Sequence, residues 1–531
     1  MAPSNNDNNN NNNNNSSSSS SSKNTAKKDT PKPPAVDMDL DRSGMLMSLL
    51  HQIPLIARTA VLHIFRYSEP SNYMDLWTEI IIVVLRNFLA PGRVTSITSA
   101  QRIFARDAQV KGQMWISKYA CPTPTDCNVR DVLAGVVEGL RDGQEEEPQC
   151  KLKMPGVARV EAEWTGYRAG ATKESMLPDM PEKDIYGEMM KEVSSPATIL
   201  YFHGGAFWLM DPATHRATTS RLAKLSGGRC YSVRYRLAPQ HTFPSALMDA
   251  LVSYLALLYP PSDAFHSAVV PQHVVFAGDS AGGNLALSLL QTVLQLQRTN
   301  TPITWQGQTR TIPLPGGVAV NSPWMDITHS LPSCETNANF DYLPSLTSQI
   351  SLEANRPHCA VWPATPPRHM IYATDELVLH PLVSLLLVQS WEGAPPLWIC
   401  TGRELLADED KFTAQKFWRD GVPVVYEEYE GMPHCFALIF ERLPGARRCM
   451  EGWAGFAKRV AEGGKTENKF MVVRAKVLVE EEVDPEGLSG YTAEEIREMV
   501  VKRLKAGVVC GGAQEGEGEG MVVRFREVAK L

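Results

Sequence analysis

The sequence predicts an α/β fold in which a mostly parallel central sheet is flanked by helices. Short apolar runs that are typical of buried strands alternate with longer runs of helical spacing, for example across residues 246–258. Three of the predicted strands end directly in loops with functional residue types. In chain order, the first loop carries a glycine pair, the second a serine between glycines, and the third a histidine. Because the carboxyl ends of parallel strands meet at one edge of a sheet, these loops mark where a site would lie.

Ser280 is the candidate nucleophile. It lies in the loop Gly-Asp-Ser-Ala-Gly of residues 278–282, which follows the apolar run 274–277 and precedes a helix-like run over 285–294. A G-x-S-x-G loop between a strand and a helix places the serine in a sharp turn that only small neighbours permit, and it exposes the hydroxyl group.

Backbone N–H groups for a developing oxyanion are expected at the end of an earlier strand. Residues 198–202 are apolar and strand-like, and His203-Gly204-Gly205-Ala206 follows them. Glycine suits this loop because the backbone must come within hydrogen-bonding distance of a substrate carbonyl group. Gly204, Gly205 and Ala281, the residue after the serine, are therefore the candidate oxyanion-hole donors.

His434 is the candidate general base. It is the last of twelve histidines and lies in the loop that follows the strand-like run 422–426. A serine followed later in the chain by an acid and then a histidine is the order found in triads on such sheets. The other histidines show no metal-ligand spacing, so neither a metal nor another cofactor is expected.

The acid is expected after the strand-like run 397–402. Glu404 comes immediately after that run, where a short turn would direct its carboxylate towards His434. Asp408 competes for the role, although it also suits the N-cap of the next helix. Asp326 follows an earlier strand and is the least favoured of the three.

Together these motifs resemble the hormone-sensitive-lipase group of α/β-hydrolase esterases. The family motifs His-Gly-Gly-Gly, Gly-Asp-Ser-Ala-Gly-Gly and Ser-Pro-Trp-x-Asp are similar to residues 203–206, 278–283 and 322–326. The motifs Tyr-Arg-Leu-Ala-Pro-Glu and Phe-Pro-Ala-Ala are similar to residues 235–240 and 243–246. The acid motif Asp-x-Leu-x-Asp-Glu aligns with residues 404–409, which implies that Glu404 is the triad acid and Asp408 a helix cap.

The resemblance implies a serine esterase that cleaves small or lipid-like carboxylic esters through a triad of Ser280, Glu404 and His434. Ala206 replaces the fourth residue of the family's glycine motif but keeps the N–H group, and Glu404 adds one methylene to the usual aspartate. Two alternatives are a deacetylase for lipid or sterol esters at a membrane surface and a non-catalytic protein that binds a small molecule. Related receptors of the second kind lack the catalytic histidine.

Composition divides the chain into four predicted segments. They are an Asn/Ser-rich disordered tail at 1–40, an N-terminal helical cap region at 41–150, the catalytic domain at 151–462, and a C-terminal extension without an assigned role at 463–531. The extension is predicted to contain a strand over 470–479, a helix that begins with the capping box Thr492–Glu495, and a strand over 522–528.

The apolar stretches within residues 45–89 allow two interpretations. They are too short and too often interrupted to span a bilayer. They either cap the site, with an apolar face that admits lipids or lies on a membrane surface, or simply pack on the catalytic domain.

Charge and cysteine content restrict the surroundings of the protein. A net charge of −7 argues against a general nucleic-acid partner. No secretory signal is recognised at the N-terminus, and the ten cysteines lack paired spacing. We therefore expect reduced thiols and a cytoplasmic protein, or one peripheral to an intracellular membrane.

Overall fold

A computed structural model of the chain describes residues 50–91, 94–105, 107, 109–141 and 153–505. Residues from Ile53 onwards belong to one compact unit. The tail predicted at 1–40 and the strand predicted at 522–528 lie outside the described residues.

Ten strands of the described chain form one mixed sheet, which confirms the predicted α/β fold. The strands of the described residues are β1 Met114–Cys121, β2 Val160–Tyr167, β3 Thr198–Phe202, β4 Arg229–Arg234, β5 Val274–Asp279, β6 Ile303–Trp305, β7 Gln308–Arg310, β8 Gly317–Asn321, β9 Leu397–Gly402, β10 Val424–Tyr429, β11 Lys469–Val473 and β12 Glu480–Glu482. The order in the main sheet is β1-β2-β4-β3-β5-β8-β9-β10-β11-β12, and all neighbours from β4 to β11 run parallel. Strands β6 and β7 form a separate antiparallel hairpin.

Helices cover both faces of this sheet. Those of the described residues are α1 Ile53–Ile64, α2 Leu76–Phe88, α3 Ile97–Phe104, α4 Val129–Gly139, α5 Glu182–Glu192, α6 Arg216–Ser226, α7 Ser245–Leu258, α8 Ala281–Arg298, α9 Ser333–Thr336, α10 Leu346–Ala354, α11 Ala407–Arg419, α12 Phe436–Ile439, α13 Pro444–Ala461 and α14 Ala493–Lys505. Side chains alternate along each strand, so the two faces of β3 build two cores. Leu200 and Phe202 pack towards α7 and α8, whereas Ile199 and Tyr201 pack towards α6 and α13.

The central strands are buried along their whole length. Every residue of β3, β5, β8 and β9 is buried, as expected for a parallel sheet that is covered on both faces. The paired register brings Phe202 opposite Gly278 and Asp279 opposite Asn321. The loops after β3, β5, β9 and β10 therefore meet at one edge of the sheet, and they carry the predicted site residues.

The region predicted as a helical cap, 41–150, is not helical throughout. Its first helices, α1 and α2, agree with the predicted helix-like stretches. However, β1 is a strand of the central sheet and pairs antiparallel with β2 along its whole length. The valines and Leu133 of α4 are buried in the core beside α7 and α8. Part of this region thus belongs to the body of the fold.

The C-terminal extension is joined to the same sheet. Strand β11 pairs parallel with β10, and β12 pairs antiparallel with β11, so the predicted strand at 470–479 is real but shorter. The predicted capping box is confirmed, because Glu495 accepts from the Thr492 N–H at 2.8 Å and the Glu495 N–H donates to the Thr492 hydroxyl at 3.2 Å. Ile496 and Val500 of α14 are completely buried.

If the extension is part of the core, removal of one buried side chain from α14 should weaken the whole fold. Ile496→Ala is expected to lower the free energy of unfolding by about 2–5 kcal/mol, because it deletes buried methyl groups and leaves a cavity. Urea unfolding measures this change. The exposed neighbour provides the control, and Glu498→Ala should change the value by less than about 0.5 kcal/mol. Equal midpoints for the two variants would contradict the packing.

Candidate active site

Ser280 occupies a tight elbow between β5 and α8. Its backbone has φ 52° and ψ −123°, a region that a residue other than glycine adopts only at a cost of about 1–3 kcal/mol. The Ser280 N–H donates to Asn321 O at 3.1 Å, and the Ser280 carbonyl accepts from the Trp324 N–H at 3.0 Å. These bonds hold the serine at the carboxyl edge of the sheet.

A glycine allows the elbow to pack against the end of β3. A Cβ atom on Gly282 would lie 2.0 Å from the carbonyl oxygen of Phe202, which no side chain could tolerate. The first turn of α8 therefore touches the backbone from which the glycine-rich loop 203–206 begins.

Glu404 and His434 form a buried pair. The distance from Glu404 Oε1 to His434 Nδ1 is 2.8 Å, and both side chains are almost inaccessible. The second carboxylate oxygen, Oε2, accepts from the Ser322 hydroxyl at 2.6 Å and from the Gly402 N–H at 3.0 Å. With both oxygens bonded, the carboxylate has a fixed orientation towards the imidazole.

The other two acid candidates have different partners. Asp408 accepts from the Ser333 N–H at 2.9 Å, at the first turn of the short helix α9. It does not cap its own helix, because α11 begins at Ala407 and its N-cap is Leu406. Asp326 accepts from the backbone and hydroxyl groups of Thr328 and Ser330, which fixes its own loop.

A third buried carboxylate joins the loops of the acid and the histidine. Asp341 Oδ2 accepts from the Leu405 N–H at 2.9 Å, and Asp341 Oδ1 accepts from the His434 N–H at 3.3 Å. These partners are 64 and 93 residues away in the chain, so no local motif marks Asp341. It is a residue of the site that the sequence analysis missed.

The charges around His434 favour its protonated form. Burial lowers the pKa of this imidazole, but the bonded Glu404 carboxylate and the nearby Asp341 outweigh that effect, and the net shift is upwards. Burial raises the pKa of Asp341, the charge of His434 opposes it, and the Glu404 charge raises it further, so the Asp341 pKa lies above its usual value.

The structure gives the Gly204 N–H a partner of its own. This group, predicted as an oxyanion donor, donates to Asp279 Oδ1 at 3.1 Å. Among the described residues, no protein acceptor is found for the N–H groups of Gly205, Ala206 and Ala281. The candidate oxyanion donors are therefore the N–H groups of Gly205, Ala206 and Ala281, with Ala206 in place of the predicted Gly204.

The Asp279 carboxylate lies below the glycine-rich loop in a buried polar cluster. Its Oδ1 accepts from the Tyr201 hydroxyl at 2.6 Å, and His215 Nε2 lies 3.3 Å from its Oδ2. Burial raises the pKa of Asp279, but His215 and Tyr201 lower it overall. Burial lowers the pKa of His215, but Asp279 raises it overall. Together with the bond from the Gly204 N–H, these contacts fix the start of the loop.

The sequence matches a known family across the whole site. A profile of the family described as alpha/beta hydrolase fold matches residues 199–438, from β3 to just after His434. An acetyl-hydrolase of Streptomyces hygroscopicus is 31% identical over 267 residues, which cover 50% of this chain and 76% of the relative. The chain belongs to the α/β-hydrolase fold family. This confirms the resemblance drawn from its motifs.

Other α/β-hydrolase relatives show the same extent of similarity. An esterase of Acinetobacter venetianus is 29% identical over 276 residues, which cover 51% of this chain and 78% of the relative. A crystal structure of a hormone-sensitive lipase from a metagenome library is 24% identical, covers 62% of this chain and 91% of its own, and superposes with a TM-score of 0.43.

The bond between Gly204 and Asp279 leads to a test of the loop. A Cβ atom at Gly204 would lie 2.3 Å from Asp279 Oδ2, so Gly204→Ala should displace the loop and with it the open N–H groups. Because loss of one oxyanion donor lowers kcat by about 10²–10³-fold, we expect a loss of about 10²-fold in ester hydrolysis.

The matched control for this variant is Gly187→Ala in α5. A Cβ atom there meets nothing within 4 Å, so this variant should keep the wild-type kcat. A Gly204→Ala protein with unchanged kcat would show that the loop does not depend on this contact.

Proposed function

We propose that this α/β hydrolase is a serine ester hydrolase. The observation that carries the proposal is the buried contact of 2.8 Å between Glu404 and His434, at the same sheet edge as the Ser280 elbow. Relatives with the names acetyl-hydrolase and esterase support the reaction class. The chemistry needs a nucleophile, a base that an acid orients, and donors for an oxyanion, and the chain has a candidate for each.

In the first half-reaction, Ser280 Oγ attacks the ester carbonyl carbon while His434 Nε2 takes the hydroxyl proton. The carbonyl oxygen gains negative charge, and the open N–H groups of Gly205, Ala206 and Ala281 stabilise it. Glu404 holds the imidazole by Nδ1 and stabilises its positive charge. When the tetrahedral intermediate collapses, the C–O bond to the alcohol breaks, and His434 returns its proton to the departing oxygen.

The second half-reaction releases the acid. His434 takes a proton from water as the water oxygen attacks the acyl carbon on Ser280. Collapse of the second tetrahedral intermediate breaks the bond to Ser280 Oγ, which receives the proton from His434. Every proton thus moves between Ser280, the alcohol, water and the His434 imidazole, so the cycle needs no cofactor.

The substrate class is proposed from the aromatic side chains beside the serine. The Trp324 N–H donates to Ser280 O, and the Trp324 ring lies 6.3 Å from that of Phe207. Phe207 stacks on Tyr372 with ring centroids 3.6 Å apart. We infer that these rings line the acyl side of the site, and an apolar lining favours small or lipid-like esters. A deacetylase for sterol or lipid esters remains the alternative within this class.

A binding protein without catalysis is less favoured. His434 is present and is paired with Glu404, whereas a receptor has no need for a base oriented by a buried acid. For the location we propose a reducing intracellular compartment, supported by the free thiols of the eight described cysteines. None of the helices in the described ranges is long and apolar enough to cross a membrane.

The proposed function is tested directly with p-nitrophenyl esters from acetate to palmitate. The wild-type protein should hydrolyse them, and Ser280→Ala should abolish the activity above the rate in buffer. The chain-length profile then separates a short-acyl esterase from a lipase. A folded wild-type protein without activity on any of these esters, or a Ser280→Ala protein with full activity, would contradict the proposal.

The assignment of the acid is tested by a matched pair of amide substitutions. Glu404→Gln keeps the size of the side chain but removes the charge that stabilises the imidazolium, so kcat should fall by about 10⁴-fold. Asp408→Asn should retain kcat within a few fold, because Asp408 bonds only to the Ser333 segment in the described structure. The reverse order of the two effects would assign the acid to Asp408.

The pH dependence of kcat/KM should report the protonation of the general base, His434. The imidazole acts as a base only when neutral, so kcat/KM should fall as the pH decreases through the His434 pKa. Because Glu404 and Asp341 raise that pKa, the midpoint should lie above the usual value of about 6.5. Initial rates with p-nitrophenyl acetate from pH 5 to 8 measure it, and a flat profile over this range would exclude His434 as the base.

A further inference from the structure

Large apolar side chains are exposed on the hairpin of α1 and α2. Of the eighteen exposed large apolar residues in the described chain, nine lie between 53 and 89. The most exposed of these nine are Tyr67, Trp77, Phe65 and Ile64, at 78%, 73%, 65% and 65%. We call this surface the outer hairpin face; it consists of Ile53, Val61, Ile64, Phe65, Tyr67, Trp77, Ile81, Phe88 and Leu89. A monomeric soluble protein rarely exposes so many such side chains together.

The charged residues of the hairpin differ in their partners. Its three acidic residues are all engaged: Glu69 with Arg403 at 2.7 Å, Asp75 with the first turn of α2, and Glu79 with His63. The basic residues Arg58 and Arg66 are exposed among the apolar side chains. The outer hairpin face therefore combines apolar, aromatic and cationic groups.

The opposite side of the hairpin is fixed to the loops of the candidate site. Arg86 Nε donates to Asp341 O at 2.8 Å, and Arg86 Nη2 donates to Asn339 O at 3.1 Å. The ring of Tyr73 packs against Phe340 at 5.5 Å, and a Cβ atom on Gly431 would lie 2.5 Å from Tyr73 Cβ. These contacts hold the hairpin against the segments that lead to Glu404 and His434.

We propose that the outer hairpin face binds the surface of a lipid layer that carries negative charge. Tryptophan and tyrosine favour the boundary between lipid and water, and arginine is attracted to anionic headgroups. A second copy of the chain is a less suitable occupant. Arg58 and Arg66 form no ion pair within the described residues, and a symmetric interface would bring these exposed cations of the two copies together. Together with the proposed function, this surface would hold the enzyme on a lipid layer through the hairpin whose other side contacts the loops of the candidate site.

Vesicle sedimentation with the full chain tests the proposal. The wild-type protein should bind phosphatidylcholine vesicles that contain phosphatidylserine. Removal of two apolar anchors in Phe65→Ser/Trp77→Ser should weaken binding by about tenfold or more, because each ring loses its burial in lipid. The matched control is Leu225→Ser/Val270→Ser, which removes two aliphatic side chains that are exposed by 39% and 49% elsewhere on the fold and should bind as wild type.

A charge variant separates the electrostatic component of vesicle binding from the apolar component. Arg58→Glu/Arg66→Glu should lose most of the preference for vesicles with phosphatidylserine, because each arginine near such a surface contributes about 1 kcal/mol, or roughly fivefold. Its binding to vesicles of phosphatidylcholine alone should be unchanged. A wild-type protein that binds both vesicle types equally would overturn the proposed charge preference.

Two further results would overturn the lipid surface itself. One is a wild-type protein that does not sediment with either vesicle type, or that binds the vesicles no more tightly than Phe65→Ser/Trp77→Ser does. The other is a wild-type dimer in analytical ultracentrifugation that this variant converts to a monomer, since a second copy would then cover the face. Hydrolysis of p-nitrophenyl acetate without vesicles should persist in the variant, so loss of lipid binding is distinguishable from failure of the esterase proposal.

Discussion

The end of β3 and the first turn of α8 lie in direct backbone contact, and the candidate site depends on this contact. Gly282 approaches the Phe202 carbonyl so closely that no side chain would fit between them. Since the glycine-rich loop leaves β3 at this point, its N–H groups are brought beside Ser280 without a separate element to position them. The strained backbone of Ser280 is maintained because the surrounding strands and α8 determine both of its ends.

The same region buries several carboxylates, and each has a different task. Asp279 accepts from the Gly204 N–H and pairs with His215, which fixes the loop below the oxyanion donors. Glu404 faces the imidazole of His434, and Asp341 holds the backbone of both of these loops. Because these groups are bonded before any substrate arrives, the electrostatic field at the serine needs little reorganisation during a reaction.

Sequence patterns predicted the strand-ending loops well because parallel strands place their carboxyl ends together, so chain order became spatial proximity. The alignment that selected Glu404 rather than Asp408 agrees with the hydrogen bond to His434. Local patterns could not reveal which glycine N–H is already bonded, since Gly204 and Gly205 are adjacent and identical in the sequence and only the fold brings Asp279 to the Gly204 N–H. The edge strand β1 was not predicted, because the longer apolar runs of helical spacing before it dominate the pattern of residues 41–150.

In the proposed reaction, Ser280 becomes covalently acylated with His434 as its base. The most direct measurement is mass spectrometry of peptides from protein treated with a fluorophosphonate, which forms a stable bond only with an activated serine hydroxyl. We predict one adduct, on the peptide that contains Ser280, and strongly reduced labelling in His434→Ala. An adduct on a different serine, or equal labelling of the His434→Ala protein, would contradict the account.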